Sequence, residues 1–137
     1  MFFLCAFEPL WQIKSFNCKD MKMEAVAKAR YERGSARKMR QVMDLVRGKN
    51  VEEALNILRF THKKSSLVLE KVVRSAVANV MNVYGDKLHD PNELTIIEAM
   101  CDEGPMMKRI QPRAMGRAYK IRKRTCHLKV RVASREV

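Results

Sequence analysis

The feature that most constrains the fold is a strongly basic segment near the C-terminus. Residues 105–135 contain 11 basic residues and no acidic residue. Toward its end, Leu128, Val130 and Val132 alternate with polar residues, and this period of two predicts a half-buried strand. The earlier part of the segment is too polar to belong to a core. The chain must therefore fold so that this basic segment projects while its end returns to a core.

A second strand pattern precedes the basic segment and predicts a hairpin. Leu94 to Cys101 contains Thr, two Ile and Met, which are typical of strands. Residues 104–118 then hold two Pro, two Gly and four basic residues, a stretch that is too long for a tight turn. We predict a long β-hairpin over about residues 99–124, with its tip near residues 111–116. About twelve residues at the rise of a strand span about 40 Å, more than the radius of so small a domain.

Upstream of the hairpin, a first amphipathic helix is predicted. Ser35 is a suitable N-cap, because its hydroxyl can accept a bond from an unpaired backbone N–H. Gly48 is placed to end the helix, as Gly commonly does at the C′ position. Apolar side chains with helical spacing form the inward face: Met39, Val42, Met43 and Val46.

Two further helices are predicted between residues 50 and 85. Asn50 opens the second helix, and with Glu53 it can form a capping box. The third helix is predicted to begin at Thr61 or His62 and to end at Gly85. A polar loop with His89, Asp90 and Pro91 follows it. The third helix has the longest apolar face: Leu69, Val72, Val73, Ala76, Val77, Val80 and Met81.

The charge balance indicates a polyanionic partner. The 137 residues suggest one domain with a formal net charge of +13. Residues 23–49 hold 8 basic and 3 acidic residues, whereas residues 50–103 hold 6 basic and 9 acidic ones. Most of the excess therefore lies in the C-terminal segment, which is the pattern expected of an arm that contacts phosphates. Nucleic acid and an acidic membrane are both compatible with the charge alone.

The hairpin is predicted to be the functional element. A projecting two-stranded ribbon is marginally stable alone, and self-repulsion weakens it further, so we expect a polyanion to order its tip. Interleaved methionines can adapt to irregular surfaces. The alternative is an inert solvated tail. We prefer the bound arm, because a disordered tail is rarely followed by a strand with apolar residues at a period of two. The predicted phosphate contacts in the hairpin are Lys108, Arg109, Arg113, Arg117, Lys120, Arg122, Lys123 and Arg124.

A second group of basic residues flanks or lies on the first helix and gives a weaker signal. Surface helices often carry Lys and Arg for solubility alone, so these residues have a structural explanation as well. We select from them Lys28, Arg30, Arg37, Lys38, Arg40 and Lys49 as RNA-binding candidates; Arg33 and Arg47 belong to the same basic group. His127 and Lys129, on the last strand, complete the predicted RNA-binding set.

Catalytic and metal-binding patterns are not found in the sequence. His62, His89 and His127 are scattered, and no nucleophile or acid is placed beside them by a recognisable motif. No phosphate-loop or dinucleotide-binding glycine pattern occurs. The cysteines, which form no C-x-x-C pair, are Cys5, Cys18, Cys101 and Cys126. We expect reduced thiols in a cytosolic protein, with no metal, no cofactor, no small-molecule substrate and no enzymatic activity.

The first 22 residues do not fit the rest of the chain. They carry five of the nine aromatic residues, interrupted by Glu8, Pro9 and Lys14. They lack a basic region before the apolar run and contain no Arg, so they are a poor secretory signal and a poor transit peptide. No stretch reaches the roughly 18 apolar residues that a membrane span needs. We interpret residues 23–137 as the domain, and residues 1–22 as upstream sequence or a disordered extension.

The motifs, taken in order, resemble one family closely. They are residues 23–28 (MEAVAK), 35–38 (SARK), 102–105 (DEGP), 107–110 (MKRI), 112–114 (PRA), 116–118 (GRA) and 123–125 (KRT), followed by His127-Leu128 with Val130 and Val132. Over about residues 23–134 the chain resembles the bacterial large-subunit ribosomal protein numbered twenty-two. The resemblance implies an α+β fold, in which a three-helix cluster packs on a small antiparallel sheet with a long protruding β-hairpin.

The resemblance also implies a function. Members of this family bind large-subunit ribosomal RNA, aid assembly beside neighbouring ribosomal proteins, and act in the cytoplasm within the ribosome. Their hairpin tip lines the exit tunnel near the nascent polypeptide. Met115 departs from the family, because relatives often carry Lys there. The implied tip is Met107, Lys108, Arg109, Ile110, Gln111, Pro112, Arg113, Ala114, Met115 and Gly116.

Two other functions compete with this one. A DNA-binding regulator could place three short helices as a helix-turn-helix, but the basic residues are concentrated in strands rather than on a recognition helix. A membrane-surface protein could combine the aromatic N-terminus with the basic arm. Binding to duplex DNA would favour the first competitor, and loss of vesicle binding on removal of residues 1–22 would favour the second.

Overall fold

A computed structural model describes residues 23–84 and 94–134. Within these ranges the chain forms three helices and five strands, which confirms the predicted α+β class. In chain order the elements are β1 (Glu24–Arg33), α1 (Ala36–Val46), α2 (Val51–Phe60), α3 (Lys64–Tyr84), β2 (Leu94–Glu103), β3 (Met107–Pro112), β4 (Ala118–Lys123) and β5 (Thr125–Ser134).

The strands form one three-stranded sheet and one two-stranded ribbon. The sheet order is β1-β5-β2, with both pairs antiparallel, so the last strand is the central one. The ribbon pairs β3 with β4 and continues the β2–β5 pair outward. The predicted long hairpin is thus formed by β2 to β5 together. The alternation near the C-terminus thus predicted β5, the central strand, which is hydrogen-bonded to a neighbouring strand on each edge.

The hydrophobic core lies between the helices and one face of the sheet. Leu128, Val130 and Val132 of β5 are almost completely buried, as their alternation predicts. Each large side chain buried in this way contributes about 1.5–3 kcal/mol relative to an exposed position. The largest fully buried partners on other elements are Met43, Leu58, Leu69, Leu94 and Ile96. All three described helices cover the same face, so within residues 23–84 and 94–134 no helix covers the opposite face, which we call the helix-free face.

Helix α1 matches the sequence prediction well. The four apolar residues of its predicted stripe are buried, and Ser35 is its N-cap. Gly48 adopts a φ of +77°, and its N–H donates to the carbonyl of Ile96 at 2.8 Å. A left-handed backbone at this position is why Gly ends the helix here. Between the described residues, however, the Ser35 side chain makes no capping hydrogen bond.

The predicted start of α3 is wrong by two or three residues. Thr61 is the C-cap of α2, where its N–H and hydroxyl both donate to the carbonyl of Ile57. Helix α3 begins at Lys64, and the Ser66 hydroxyl donates to the carbonyls of Thr61 and Lys63 at 2.8 and 2.6 Å. Thr61 therefore closes one helix instead of opening the next.

The capping box predicted for α2 is also not formed. Asn50 is the N-cap, as expected, but among the described residues its side chain makes no capping bond. Its backbone instead forms an isolated antiparallel bridge with Thr95. The sheet thereby fixes the start of α2, and the acidic side chains of Glu52 and Glu53 remain in its first turn, where the helix dipole favours them.

Strand β1 was not predicted from the sequence. Ala25, Ala27 and Ala29 face the helices, and Asn79 of α3 donates to the carbonyl of Val26 at 3.1 Å. Small alanines allow the long α3 helix to approach this edge of the sheet closely. The register with β5 shifts between Ala29 and Glu32, which marks a β-bulge.

Some predictions concern residues outside the described ranges. These are the predictions for residues 1–22, for Gly85 as the end of α3, for the loop at residues 89–91, and for the thiols of Cys5 and Cys18. Cys101 and Cys126 are described, buried and free. None of the described helices has the length and apolar character needed to cross a membrane.

Candidate nucleic-acid interface

The two-stranded extension, residues 105–124, is exposed along its whole length, and we call it the arm. Every one of its residues is exposed. It turns at residues 113–117, where Arg113 N–H donates to the Arg117 carbonyl at 2.8 Å. Met115 and Gly116 have φ values of +60° and +67° in this turn. The observed turn overlaps residues 111–116, where the tip was predicted.

The register of the arm places cations on both of its faces. Residues paired across an antiparallel ribbon point to the same side. One face presents Met107, Arg109, Gln111, Tyr119, Ile121 and Lys123, and the other presents Lys108, Ile110, Pro112, Ala118, Lys120 and Arg122. A ribbon that docked on a single flat surface would need positive charge on one face alone. This distribution suits a polyanion that encloses the arm.

The positive charge of the arm is almost uncompensated. Among the ion pairs between described residues, the arm takes part in one, Arg124 with Glu103, at 3.8 Å and on exposed side chains. The Arg109 guanidinium donates to the neighbouring Lys108 carbonyl at 2.9 Å. A pair this exposed contributes little energy. The remaining cations of the arm are therefore available to an external anion.

The base of the arm is a closely packed junction. Gly104 N–H donates to the Thr125 carbonyl at 2.9 Å, and the Thr125 hydroxyl donates to the Pro105 carbonyl at 2.6 Å. Gly34, just before α1, donates to the Arg124 carbonyl at 3.2 Å. A Cβ on Gly104 would lie 2.5 Å from the Thr125 hydroxyl oxygen. No role for Gly104 was predicted from the sequence, whereas in the structure this position has no room for a side chain larger than hydrogen.

Four predicted RNA-binding residues lie on the helix-free face of the sheet. Lys28 and Arg30 are exposed on β1, while His127 and Lys129 are half-buried on β5. The Lys129 ammonium lies 3.3 Å from Glu98, whose carboxylate also receives Arg131 at 3.2 Å. Lys129 is thus engaged inside the protein, which weakens the case for a phosphate contact there.

The cations of the first helix divide into free and structural groups. Arg37 and Lys38 are exposed in the first turn of α1, and Lys49 is exposed after its end. Arg40, by contrast, donates through Nε and Nη2 to the Cys101 carbonyl at 3.1 and 2.9 Å. Arg47 similarly donates to the Ala99 carbonyl at 2.7 Å. These two arginines anchor α1 to β2, a role that the sequence pattern did not reveal.

The two described cysteines lie close together in the core and are poorly suited to chemistry. Burial raises the pKa of the Cys101 thiol to about 12, and the neighbouring Cys126 adds to the effect. Burial likewise raises the pKa of Cys126. A thiol that stays protonated is a weak nucleophile and a poor metal ligand. Within residues 23–84 and 94–134, no cluster of His, Cys, Asp and Glu could hold a metal ion.

The chain is similar in sequence to known proteins over most of its length. The large ribosomal subunit protein uL22 of Thermoanaerobacter sp. (strain X514) is 52% identical over 114 residues, covering 83% of this chain and 100% of that protein. The protein of the same name from Maridesulfovibrio salexigens is 56% identical over 108 residues, covering 79% and 96%. That from Clostridium novyi (strain NT) is 52% identical over 113 residues, covering 82% and 99%.

The matching family model includes the elements described above. The model of ribosomal protein L22p/L17e matches residues 27–133, from the middle of β1 to the penultimate residue of β5. The matched range contains the three helices, the whole arm and the junction at its base. On this match, and on the similarity to the three relatives, the chain belongs to the ribosomal protein L22p/L17e family.

Proposed function

We propose that the chain is a structural constituent of the large ribosomal subunit that binds the RNA of that subunit through its arm. The observation that carries the proposal is the exposed ribbon with cations on both faces and, among the described residues, one weak acidic partner. Family membership and the names of the relatives, which are large ribosomal subunit proteins, support the same conclusion. The place of action is then the ribosome, in the cytoplasm.

The proposed mechanism is physical rather than catalytic. Crowded phosphates repel one another where RNA segments converge, and a ribbon with cations on two faces can neutralise segments on both sides. Arginine can contact phosphate through two parallel hydrogen bonds, which adds direction to the attraction. Ordering of the arm and of the RNA around it would then occur together. Such coupling is how the chain would aid assembly of the subunit.

The tip of the arm is the part proposed to line the exit tunnel. Met115 is 91% exposed and Ile110 is 73% exposed, so the tip presents apolar side chains between its arginines. Adaptable apolar groups suit a surface past which peptides of many sequences move. The proposed tip is residues 107–116, with the nascent polypeptide on one side and RNA on the other. Neighbouring ribosomal proteins would contact the globular part.

The RNA-binding residues rank by how free their charges are. The arm cations come first, followed by Lys28, Arg30, Arg37, Lys38 and Lys49, which are exposed. Arg40 and Lys129, whose charged groups are held by partners within the globular part, rank last. This order is part of the proposal, and substitution of each group separately would test it.

The first experiment asks whether the chain is an integral part of the large subunit. The protein is expressed with a C-terminal tag, and the lysate is sedimented through a sucrose gradient at high salt. The proposal predicts that the tagged chain migrates with the large subunit and resists the wash. A chain that stays at the top of the gradient while the large subunit remains intact would contradict it.

The second experiment asks whether the arm contacts phosphates. Arg109, Arg113 and Arg117 are replaced together by Ala, and binding to transcribed large-subunit ribosomal RNA is measured over a range of salt concentrations. The log–log slope should fall by about two to three, since each neutralised phosphate contributes roughly 0.7–0.9.

A matched control removes the same number of charges from the helical layer. Arg59, Lys71 and Arg74 are replaced together by Ala; Arg59 and Arg74 pair with Glu70 at 3.6 and 2.6 Å. The proposal predicts an unchanged slope for this control. Equal slopes in the two triple variants would show that the arm arginines are not phosphate contacts. Tighter binding to duplex DNA of equal charge would favour the DNA-binding alternative.

A further inference from the structure

An aromatic pair on the helix-free face of the sheet is not explained by phosphate binding. We propose that the exposed ring of Tyr31, held edge-to-face by His127, is a stacking platform for one unpaired base of the RNA that the arm binds. The inference rests on the proposed function and deepens it, because it adds a base contact to a surface otherwise made for phosphates. The partner chemistry is a flat heteroaromatic ring in a single-stranded segment.

The backbone at Tyr31 is held in an unfavourable conformation. Its φ is +60°, a left-handed value that bulky non-glycine residues rarely adopt. It lies in the β-bulge, where Arg30 and Tyr31 together stand opposite His127. A glycine or asparagine would satisfy this backbone at lower cost. The presence of a large aromatic side chain at a strained position indicates that the ring itself has a use.

The bulge brings the two aromatic rings together in a fixed arrangement. The Tyr31 N–H donates to His127 Nδ1 at 3.1 Å, and the ring centroids lie 4.8 Å apart at 85°. Because Nδ1 accepts this bond, the neutral imidazole carries its proton on Nε2. Gly104 leaves space for that side of the ring, since a Cβ there would lie 3.1 Å from Nε2. The imidazole is therefore oriented before any ligand arrives.

The platform faces solvent beside the arm. Tyr31 is 62% exposed, and the helices pack against the other face of the sheet. Arg33, two residues further along β1, pairs with Thr125 at the base of the arm. A strand of RNA following the arm cations would thus pass directly over Tyr31.

An acidic residue beside His127 favours a base over a phosphate at the platform itself. Asp102 is exposed and stands opposite His127 across the β2–β5 pair. A carboxylate at this position repels a phosphate but does not oppose a neutral base. Stacking on aromatic side chains is the usual way in which proteins hold splayed bases of single-stranded RNA. The nearby Lys28 and Arg30 can hold the flanking phosphates.

The test separates the tyrosine ring from its backbone. Tyr31→Gly removes the ring and relieves the left-handed backbone, whereas Tyr31→Phe keeps the ring. Binding to transcribed large-subunit ribosomal RNA is measured for both, with Phe60→Ala as the control, since Phe60 is 83% exposed at the end of α2. The expected result is that Tyr31→Gly lowers the affinity about five- to a hundredfold, whereas Tyr31→Phe and Phe60→Ala leave it unchanged. Its salt slope should match that of the unmodified chain.

Two outcomes would overturn the inference, and a third concerns the proposed function. Equal affinity of Tyr31→Gly and the unmodified chain, or a reduced salt slope in Tyr31→Gly, would show that Tyr31 does not stack on a base. A lack of RNA binding by the unmodified chain would contradict the proposed function itself. Circular dichroism checks that each variant is folded. If Tyr31→Gly does not fold, it is replaced by Tyr31→Asn, because asparagine also tolerates a left-handed backbone.

A second measurement needs no substitution. The complex of the unmodified chain with the same RNA is irradiated with ultraviolet light, digested, and analysed by mass spectrometry. The inference predicts a nucleotide attached to the peptide that contains Tyr31 or His127. Nucleotides attached only to peptides of the arm would contradict it.

Discussion

The antiparallel pair β2–β5 and the antiparallel pair β3–β4 follow one another along the same hairpin, yet they differ in what stabilises them. Up to the junction of Gly104 with Thr125, alternate side chains such as Cys101 and Leu128 are buried. Beyond it, from residue 105 to residue 124, every residue is exposed. The ladder is interrupted at the junction and its register shifts by one residue, from Glu103 opposite Cys126 to Met107 opposite Lys123, and beyond it the side chains change from buried to exposed.

The charges differ between the two parts in the same way. In the sheet, Lys129 and Arg131 share the carboxylate of Glu98, and Arg131 also lies 3.8 Å from Glu24. In the arm, the cations form one ion pair with the acidic residues that the structure describes, Arg124 with Glu103. A two-stranded ribbon without a core is marginally stable in water. The globular part is thus stabilised by its own core and ion pairs, and we propose that an external polyanion stabilises the arm.

The largest expected effect comes from removing a buried side chain of the sheet. Leu128→Ala should lower the free energy of unfolding by about 2–5 kcal/mol, because it removes apolar contacts and leaves a cavity. Ile121→Ala, in the arm, is the matched control and should change it by less than about 0.5 kcal/mol. Urea unfolding of the free protein measures both. Similar losses for the two variants would abolish the distinction between sheet and arm.

A smaller effect is expected at the junction itself. Gly104→Ala should destabilise the protein by about 1–3 kcal/mol, because the new Cβ would overlap the Thr125 hydroxyl. The cost should be smaller in a Thr125→Ala background, where that oxygen is absent. A double-mutant cycle by urea unfolding measures the coupling. A cycle without coupling would mean that Thr125 is not what excludes a larger residue at position 104.

The smallest expected effect concerns the buried thiols of the sheet. In the unfolded chain the Cys101 thiol ionises near its ordinary pKa of 9.0, whereas in the folded chain its pKa is raised to about 12. The unfolded state therefore releases a proton that the folded state retains, and stability should fall as the pH rises above 9. The urea concentration at the unfolding midpoint should therefore fall between about pH 8 and about pH 10, and it should fall more for the unmodified chain than for Cys101→Ala. An equal difference would contradict the linkage.

Much of the fold could be predicted because its strongest signals are local. The helix stripes of α1 and α3 have the helical period, and the alternation of β5 has the strand period. The arm was predictable for a related reason, since a long acid-free segment containing Pro and Gly cannot enter a core. These patterns depend on the immediate neighbours of each residue along the chain.

The unpredicted features depend on contacts between distant parts of the chain. Strand β1 has alanines on its inner face and Val26 on its outer face, so its hydrophobic alternation is weak. The roles of Arg40 and Gly104 arise from carbonyls and side chains on other strands. Tyr31 could have drawn attention only as an aromatic residue among arginines, because its strained backbone follows from pairing with β5.

The most direct test of the account compares hydrogen exchange in the free chain and in the large subunit. Backbone amides of β3 and β4 and those of β2 and β5 are followed by mass spectrometry in both states. We predict that β2 and β5 are protected in both states, and that β3 and β4 exchange rapidly in the free chain and become protected in the subunit. Strong protection of β3 and β4 in the free chain, or no gain of protection in the subunit, would contradict the claim that the bound polyanion stabilises the arm.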